Sequence, residues 1–102
     1  MYKLEYLPIA RQDMINIVAY ISGELGNASA AMKLANAFIV ASEKIPKFPY
    51  AHAVYIPLKP LKKEYRRVVV QKYSIFYWVD ERRKKVVVAR VIYGKRNYEK
   101  VL

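Results

Sequence analysis

The sequence of 102 residues predicts a single α+β domain, with a helical hairpin packed on one face of a mostly antiparallel sheet and elements in the order βααβββ. Three observations lead there. Two apolar stripes recur at three- and four-residue steps before residue 46, three β-branched runs follow residue 64, and Gly or Pro stands at most of the boundaries.

Tyr2-Lys3-Leu4-Glu5-Tyr6 alternates in character with period two, as a half-buried strand should. Pro8 then suits the first turn of a helix, where its missing N–H removes no hydrogen bond. Met14, Ile17/Val18, Ile21 and Leu25 form one stripe, with Arg11, Gln12, Asn16 and Glu24 off it, so the spacing predicts a helix from Pro8 to Leu25. Gly26 ends it and Asn27 offers an N-cap to the next. The second helix carries Ala31, Leu34/Ala35, Phe38, Ala41/Ser42 and Ile45 until Pro46 and Pro49 stop it. A two-residue break predicts an αα-hairpin packed along an Ala-rich seam (Ala28, Ala30, Ala31, Ala35, Ala37, Ala41), which serves the core rather than a cofactor.

Residues 49–63 hold Pro49, Pro57 and Pro60 without a clean period and predict a long loop, basic toward its end at Lys59, Lys62 and Lys63. Strands are expected at Tyr65–Val70, Tyr73–Val79 and Val86–Tyr93, the first two joined by a tight turn at Gln71-Lys72. Asp80–Lys85 is a charged loop in which Arg82-Arg83-Lys84-Lys85 protects against sticking. Gly94 breaks the last strand and leaves the tail Lys95–Leu102. The N-terminal strand is expected beside one of the later strands, because leaving it unpaired would orphan its backbone groups.

Composition narrows the chemistry. There is no cysteine, which removes disulfides, thiol catalysis and cysteine-ligated zinc, and the single histidine, His52, cannot build a metal site alone. No metal and no cofactor are expected. Charges or prolines interrupt every apolar run well short of the roughly 18 residues of a membrane span, so neither a signal segment nor a membrane partner is expected. Of 19 Lys+Arg and 8 Asp+Glu, residues 1–55 carry five bases and four acids, and residues 56–102 carry 14 bases and four acids. Such asymmetry predicts an anionic partner for the second half.

Within that half, Arg66, Val68 and Val70 point one way and Tyr65, Arg67 and Val69 the other, while Val86, Val88, Arg90 and Ile92 alternate with Val87, Ala89, Val91 and Tyr93. An Arg inside a Val-rich strand needs solvent or a partner. Arg90 is therefore either a ligand for phosphate or carboxylate, or a structural pair with an acid such as Asp80 or Glu64. Tyr93-Gly94-Lys95-Arg96-Asn97-Tyr98 mixes the guanidinium forks that phosphates want with the aromatic faces that bases stack on. The acids form no glycosidase-like pair, and Gly23, Gly26 and Gly94 form no phosphate-cradling loop.

The segments YLPIARQDMINIVAYI, A..KLANAF, I.KFP, PL...YRRVVVQKYSIFYWVD and VVVARVIYGKRNYEKVL span nearly the whole chain. Together the chain resembles the RelE/ParE superfamily of toxins from bacterial type II toxin–antitoxin systems. The last two segments are the most specific. The resemblance implies a RelE/ParE-like βααβββ fold and a cytoplasmic, growth-inhibiting toxin neutralised by a cognate antitoxin, encoded adjacently, that wraps it with a helix or an extended segment. RelE-like members cleave mRNA on the ribosome, whereas ParE-like members poison DNA gyrase. Arg66 and Arg96 match basic positions of the nuclease group, but Val68 and Ser74 stand where that group often places further cations. YGKRNY after ARV is closer to the HGRRDY type of ending, which favours the ParE-like class.

For binding target or antitoxin the expected residues are Arg66, Arg67, Arg90, Lys95, Arg96 and Tyr98. Were the chain RelE-like, a metal-free attack of a 2′-OH on the adjacent phosphate would use Arg66, Arg90 and Arg96 for the developing charge. Tyr93, Tyr98 or His52 would then handle protons. A third expectation is a basic nucleic-acid-binding module without poisoning activity.

Overall fold

The computed structural model describes residues 1–57, 61–94, Tyr98 and Leu102. Its elements are β1 (Lys3–Tyr6), α1 (Pro8–Ala19), α2 (Ala28–Lys44), β2 (Arg66–Val70), β3 (Tyr73–Asp80) and β4 (Lys85–Tyr93). The order is the expected βααβββ. Each strand boundary lies within one residue of the sequence reading.

Local chemistry sets the helix ends. Pro8 opens α1, the Asn27 side chain accepts the Ala30 N–H at 3.0 Å, and Gly26 takes a φ of +62°, a conformation that disfavours any residue with a Cβ. The first helix is not uniform to Leu25: α1 ends at Ala19 and the chain widens into a π-helical turn at Tyr20–Glu24. Ser22 and Gly23, both weak helix formers, lie in that turn. A 3₁₀ turn at Ile45–Lys47 closes α2 where Pro46 removes a donor.

The strands lie in the order β1-β4-β3-β2. β2, β3 and β4 are antiparallel neighbours, but β1 runs parallel to β4, pairing Lys3 with Lys85 through Tyr6 with Val88, so the sheet is mixed. The outer edge of β2 is partly covered by the preceding loop: the Tyr55 N–H donates to Tyr65 O at 2.8 Å and the Arg67 N–H to Ala53 O at 3.2 Å.

Strict alternation fails at one place in β4. Opposite Tyr77 lies Val88 and opposite Phe76 lies Arg90, so Ala89 is an extra residue in a bulge. Beyond it the parity reverses. Val91, not Ile92, joins Val86 and Val88 in the helix-side core with Leu34, Phe38, Ile75 and Tyr77. Ile92 turns to the other face with Ala89, Phe76 and Tyr65. That second face is not open to solvent, because Tyr55, Leu61, Tyr98 and Leu102 pack over it.

Candidate functional site

The expected site residues separate into three places. Arg66 lies at the start of β2, opposite Tyr77. Its guanidinium donates to the carbonyls of His52 at 2.7 Å and Tyr50 at 3.2 Å, and stands 5.0 Å from the Tyr50 ring centroid. Glu64 lies 3.7 Å away and is mostly exposed, which makes it a weak partner. Arg66 thus clasps the loop after α2. The His52 ring lies edge-on to Tyr77, 6.3 Å between centroids, and the buried Tyr77 hydroxyl donates to Pro49 O at 2.7 Å. Burial pushes the Tyr77 phenol up to about 12, which removes it as a proton carrier near neutrality.

Arg90 turns toward α1, lining a pocket of about 170 Å³ with Asp13, Tyr73 and Tyr93. It donates through Nε to Asp13 Oδ2 at 2.7 Å and through a terminal nitrogen to Asp13 Oδ1 at 2.9 Å, and the Val91 N–H adds a third bond to Asp13 at 3.0 Å. Both side chains are less than a fifth exposed. The hydrogen bonds to Asp13 raise the Arg90 pKa further. An acid partner was one of the two roles expected of Arg90, but the acid is Asp13 of α1, not Asp80 or Glu64. The β4 bulge and the α1–β4 packing bring together residues 77 positions apart, a distance no local pattern spans.

Arg67, Tyr93 and Tyr98 gather at the opposite end of the sheet from the β3–β4 turn. Arg67 Nε donates to Ser74 Oγ at 2.7 Å, a terminal nitrogen reaches the Tyr98 hydroxyl at 3.4 Å, and its guanidinium lies 5.3 Å from the Tyr98 ring. Tyr98 donates to Gly94 O at 2.9 Å and packs edgewise on Phe76 and Tyr55, with centroids 4.7 and 5.7 Å apart. A cleft of about 320 Å³ runs alongside, lined by Arg67, Lys72, Tyr73, Ser74, Tyr93 and Gly94 among others. Gly94 suits the close approach there, since a Cβ would lie a tight 3.0 Å from Lys72 O while the Gly94 N–H donates to that same oxygen at 2.8 Å. Burial, helped by the nearby Tyr93 and Tyr20, raises the Tyr73 phenol above its ordinary value. Lys95 and Arg96, expected beside these residues, lie outside the described residues, as do Lys59 and Pro60 of the loop.

One surface has no counterpart among the residues singled out from sequence. A groove of about 610 Å³ runs between α1 and α2, lined by Met14, Ile15, Val18, Ala19, Phe38 and Ile39, with Arg11 as its one charged wall. Ile15 is 59% exposed and Ile39 50%. The signal was present in the sequence: Ile15 and Ile39 fall beside, not on, the core stripes, so each helix has a second apolar edge. No group of three or more potential metal ligands occurs among the described residues, and no helix there is long and apolar enough to cross a membrane.

The helical hairpin on a mixed four-stranded sheet matches the RelE/ParE-like fold. A chain of the chromosomal ParDE toxin–antitoxin system from P. aeruginosa superposes with a TM-score of 0.75 at 15% identity, covering 93% of this chain and 98% of that one. The isolated E. coli RelE toxin gives 0.59 at 13% identity over 99% and 95%. A chain of the RelBE2 toxin–antitoxin complex from Mycobacterium tuberculosis gives 0.50 at 21% over 90% and 96%. No curated protein sequence matches the chain. The family model described as the ParE toxin of type II toxin–antitoxin systems, parDE, matches residues 4–98, and the chain belongs to that family.

Proposed function

We propose that this toxin is ParE-like in its action: it poisons DNA gyrase and is held inactive by a cognate antitoxin. The observation that carries the reading is the dispersal of the cations a nuclease would need. Phosphoryl transfer without a metal requires several cations converging on one phosphate. Here Arg90 is held by Asp13, Arg66 clasps two loop carbonyls, and Val68 and Ser74 occupy further positions where cations would be wanted. Arg67 lines one cleft beside Tyr93, and Arg90, which shares a smaller pocket with Tyr93, is taken up there by Asp13. The match to the ParE family over residues 4–98 supports the same choice.

The antitoxin would engage two surfaces of different chemistry. The α1–α2 groove fits the apolar face of an amphipathic helix. The basic second half, with 14 bases against four acids, fits acidic residues flanking that helix. The decisive experiment adds purified toxin separately to gyrase with supercoiled plasmid and to translating ribosomes. Accumulation of cleaved DNA–gyrase complexes with intact mRNA is expected; codon-positioned mRNA cuts with unaffected gyrase would establish the RelE-like activity instead.

A further inference from the structure

The four consecutive cations Arg82-Arg83-Lys84-Lys85 belong to the basic second half but line neither the α1–α2 groove nor the Arg67 cleft. They form the turn between β3 and β4 and the first residue of β4, at the end of the sheet away from the Arg67 cleft. The turn is fixed by its neighbours. Asp80 accepts the Arg83 N–H at 3.1 Å, Lys84 takes a φ of 54°, and Glu81 accepts bonds from the Tyr2 hydroxyl at 2.5 Å, the Tyr50 hydroxyl at 2.6 Å and the Lys84 ammonium. Lys85 donates to Glu5 at 3.0 Å, and Glu64 faces Arg66. Asp80, Glu81 and Glu5 thus each have a partner within the fold, while Glu64 is mostly exposed and lines the cleft beside Arg82. Arg82 and Arg83 are exposed and make no side-chain hydrogen bond or ion pair among the described residues. Lys3, aligned with Lys85 across the parallel pair, is exposed beside them, and Lys63, over the Trp78 ring at 5.0 Å, shares a cleft with Arg82.

We propose that this tip is a phosphate-contacting surface for duplex DNA, with Arg82 and Arg83 as its principal contacts and Lys3 and Lys63 flanking them. The chemistry of the turn favours DNA over an acidic protein. Residues 81–84 carry no apolar side chain, so Arg82 and Arg83 offer charge without an apolar anchor on the turn itself, and phosphate binding needs none. The proposal does not depend on gyrase, because the contact is with the nucleic acid itself.

The test is fluorescence anisotropy of the full-length toxin with a labelled mixed-sequence DNA duplex from 50 to 200 mM KCl. Binding is expected to weaken with salt, and R82A/R83A is expected to bind roughly tenfold or more weakly at 50 mM and to lower the log–log salt slope by about 2, one unit per lost phosphate contact. R82K/R83K keeps the charge and is expected to keep the slope, while K33A/K44A, on the helical hairpin, changes nothing. Equal melting temperatures would show that all the variants are folded. Wild-type binding by R82A/R83A overturns the proposal, as does an equal loss in K33A/K44A. So does a tip-dependent loss of binding to a polyglutamate peptide with DNA binding unchanged.

Discussion

Arg90 shows how one side chain's role depends on what reaches it. Its bidentate bond to Asp13, reinforced by the Val91 N–H, joins α1 to β4 in a largely dry position. Removing one member leaves the other charge without its partner, so Asp13→Ala is expected to destabilise the fold by about 3 kcal/mol. At roughly 4 °C or more per kcal/mol for a domain of this size, calorimetry should record a fall of at least about 12 °C. Ser42 gives the opposite prediction. Its hydroxyl is fully buried and finds no partner among the described residues, so Ser42→Ala is expected to raise stability by about 1 kcal/mol in a urea titration. Glu81 sets a pH dependence. Bonds from Lys84, Tyr2 and Tyr50 hold its carboxyl down to about 2, below the ordinary 4.5, so folding favours the ionised form. That contribution is complete above about pH 4.5 and fades as the pH falls toward 2. Wild type should therefore be more stable than Glu81→Gln at pH 7, with the difference shrinking between pH 4.5 and 2 in paired thermal melts.

Among the elements, α2 divides its labour most clearly. Phe38 is fully buried and packs edgewise on Tyr73 with centroids 5.7 Å apart, so Phe38→Ala is expected to cost about 3–5 kcal/mol, a large share of the stability of a domain this small, read as a lowered midpoint in a urea titration. Ile39, one residue on, lines the outer groove with Ile15. Ile15→Asp combined with Ile39→Asp should leave the melting temperature nearly unchanged while reducing capture of the co-expressed antitoxin at least tenfold in a pull-down. The positions of both helices and all four strands were legible because they follow from periodicity and from Pro8, Gly26, Asn27 and Pro46, all local signals. The β4 bulge was not legible. It depends on how Phe76 and Tyr77 pack against their neighbours, and one extra residue there moves Val91 into the core and Ile92 out of it. The π-helical turn after Ala19 was hidden for the same reason: its altered pitch changes which residues face α2, not their composition.

For the whole molecule, the charge separation is the dominant physical fact. The helical half is nearly neutral and carries the apolar groove, and the strand half carries most of the +11. The loop after α2 is more than a connection: Tyr55 and Leu61, with Tyr98 and Leu102, cover the sheet's second face, and its carbonyls at Tyr50 and His52 hold Arg66. The sequence by itself determined the element order, the capping, the charge asymmetry and the resemblance to RelE/ParE toxins, because each rests on residues near one another along the chain. Only the tertiary structure decided which cations are consumed and which are left for a partner. Arg66, Arg67, Arg90, Arg82 and Arg83 are alike in composition. Their environments differ because Asp13 and the loop carbonyls arrive from elsewhere in the chain and Ser74 from across the β2–β3 hairpin, and a guanidinium already held by such partners has few donors left for a phosphate.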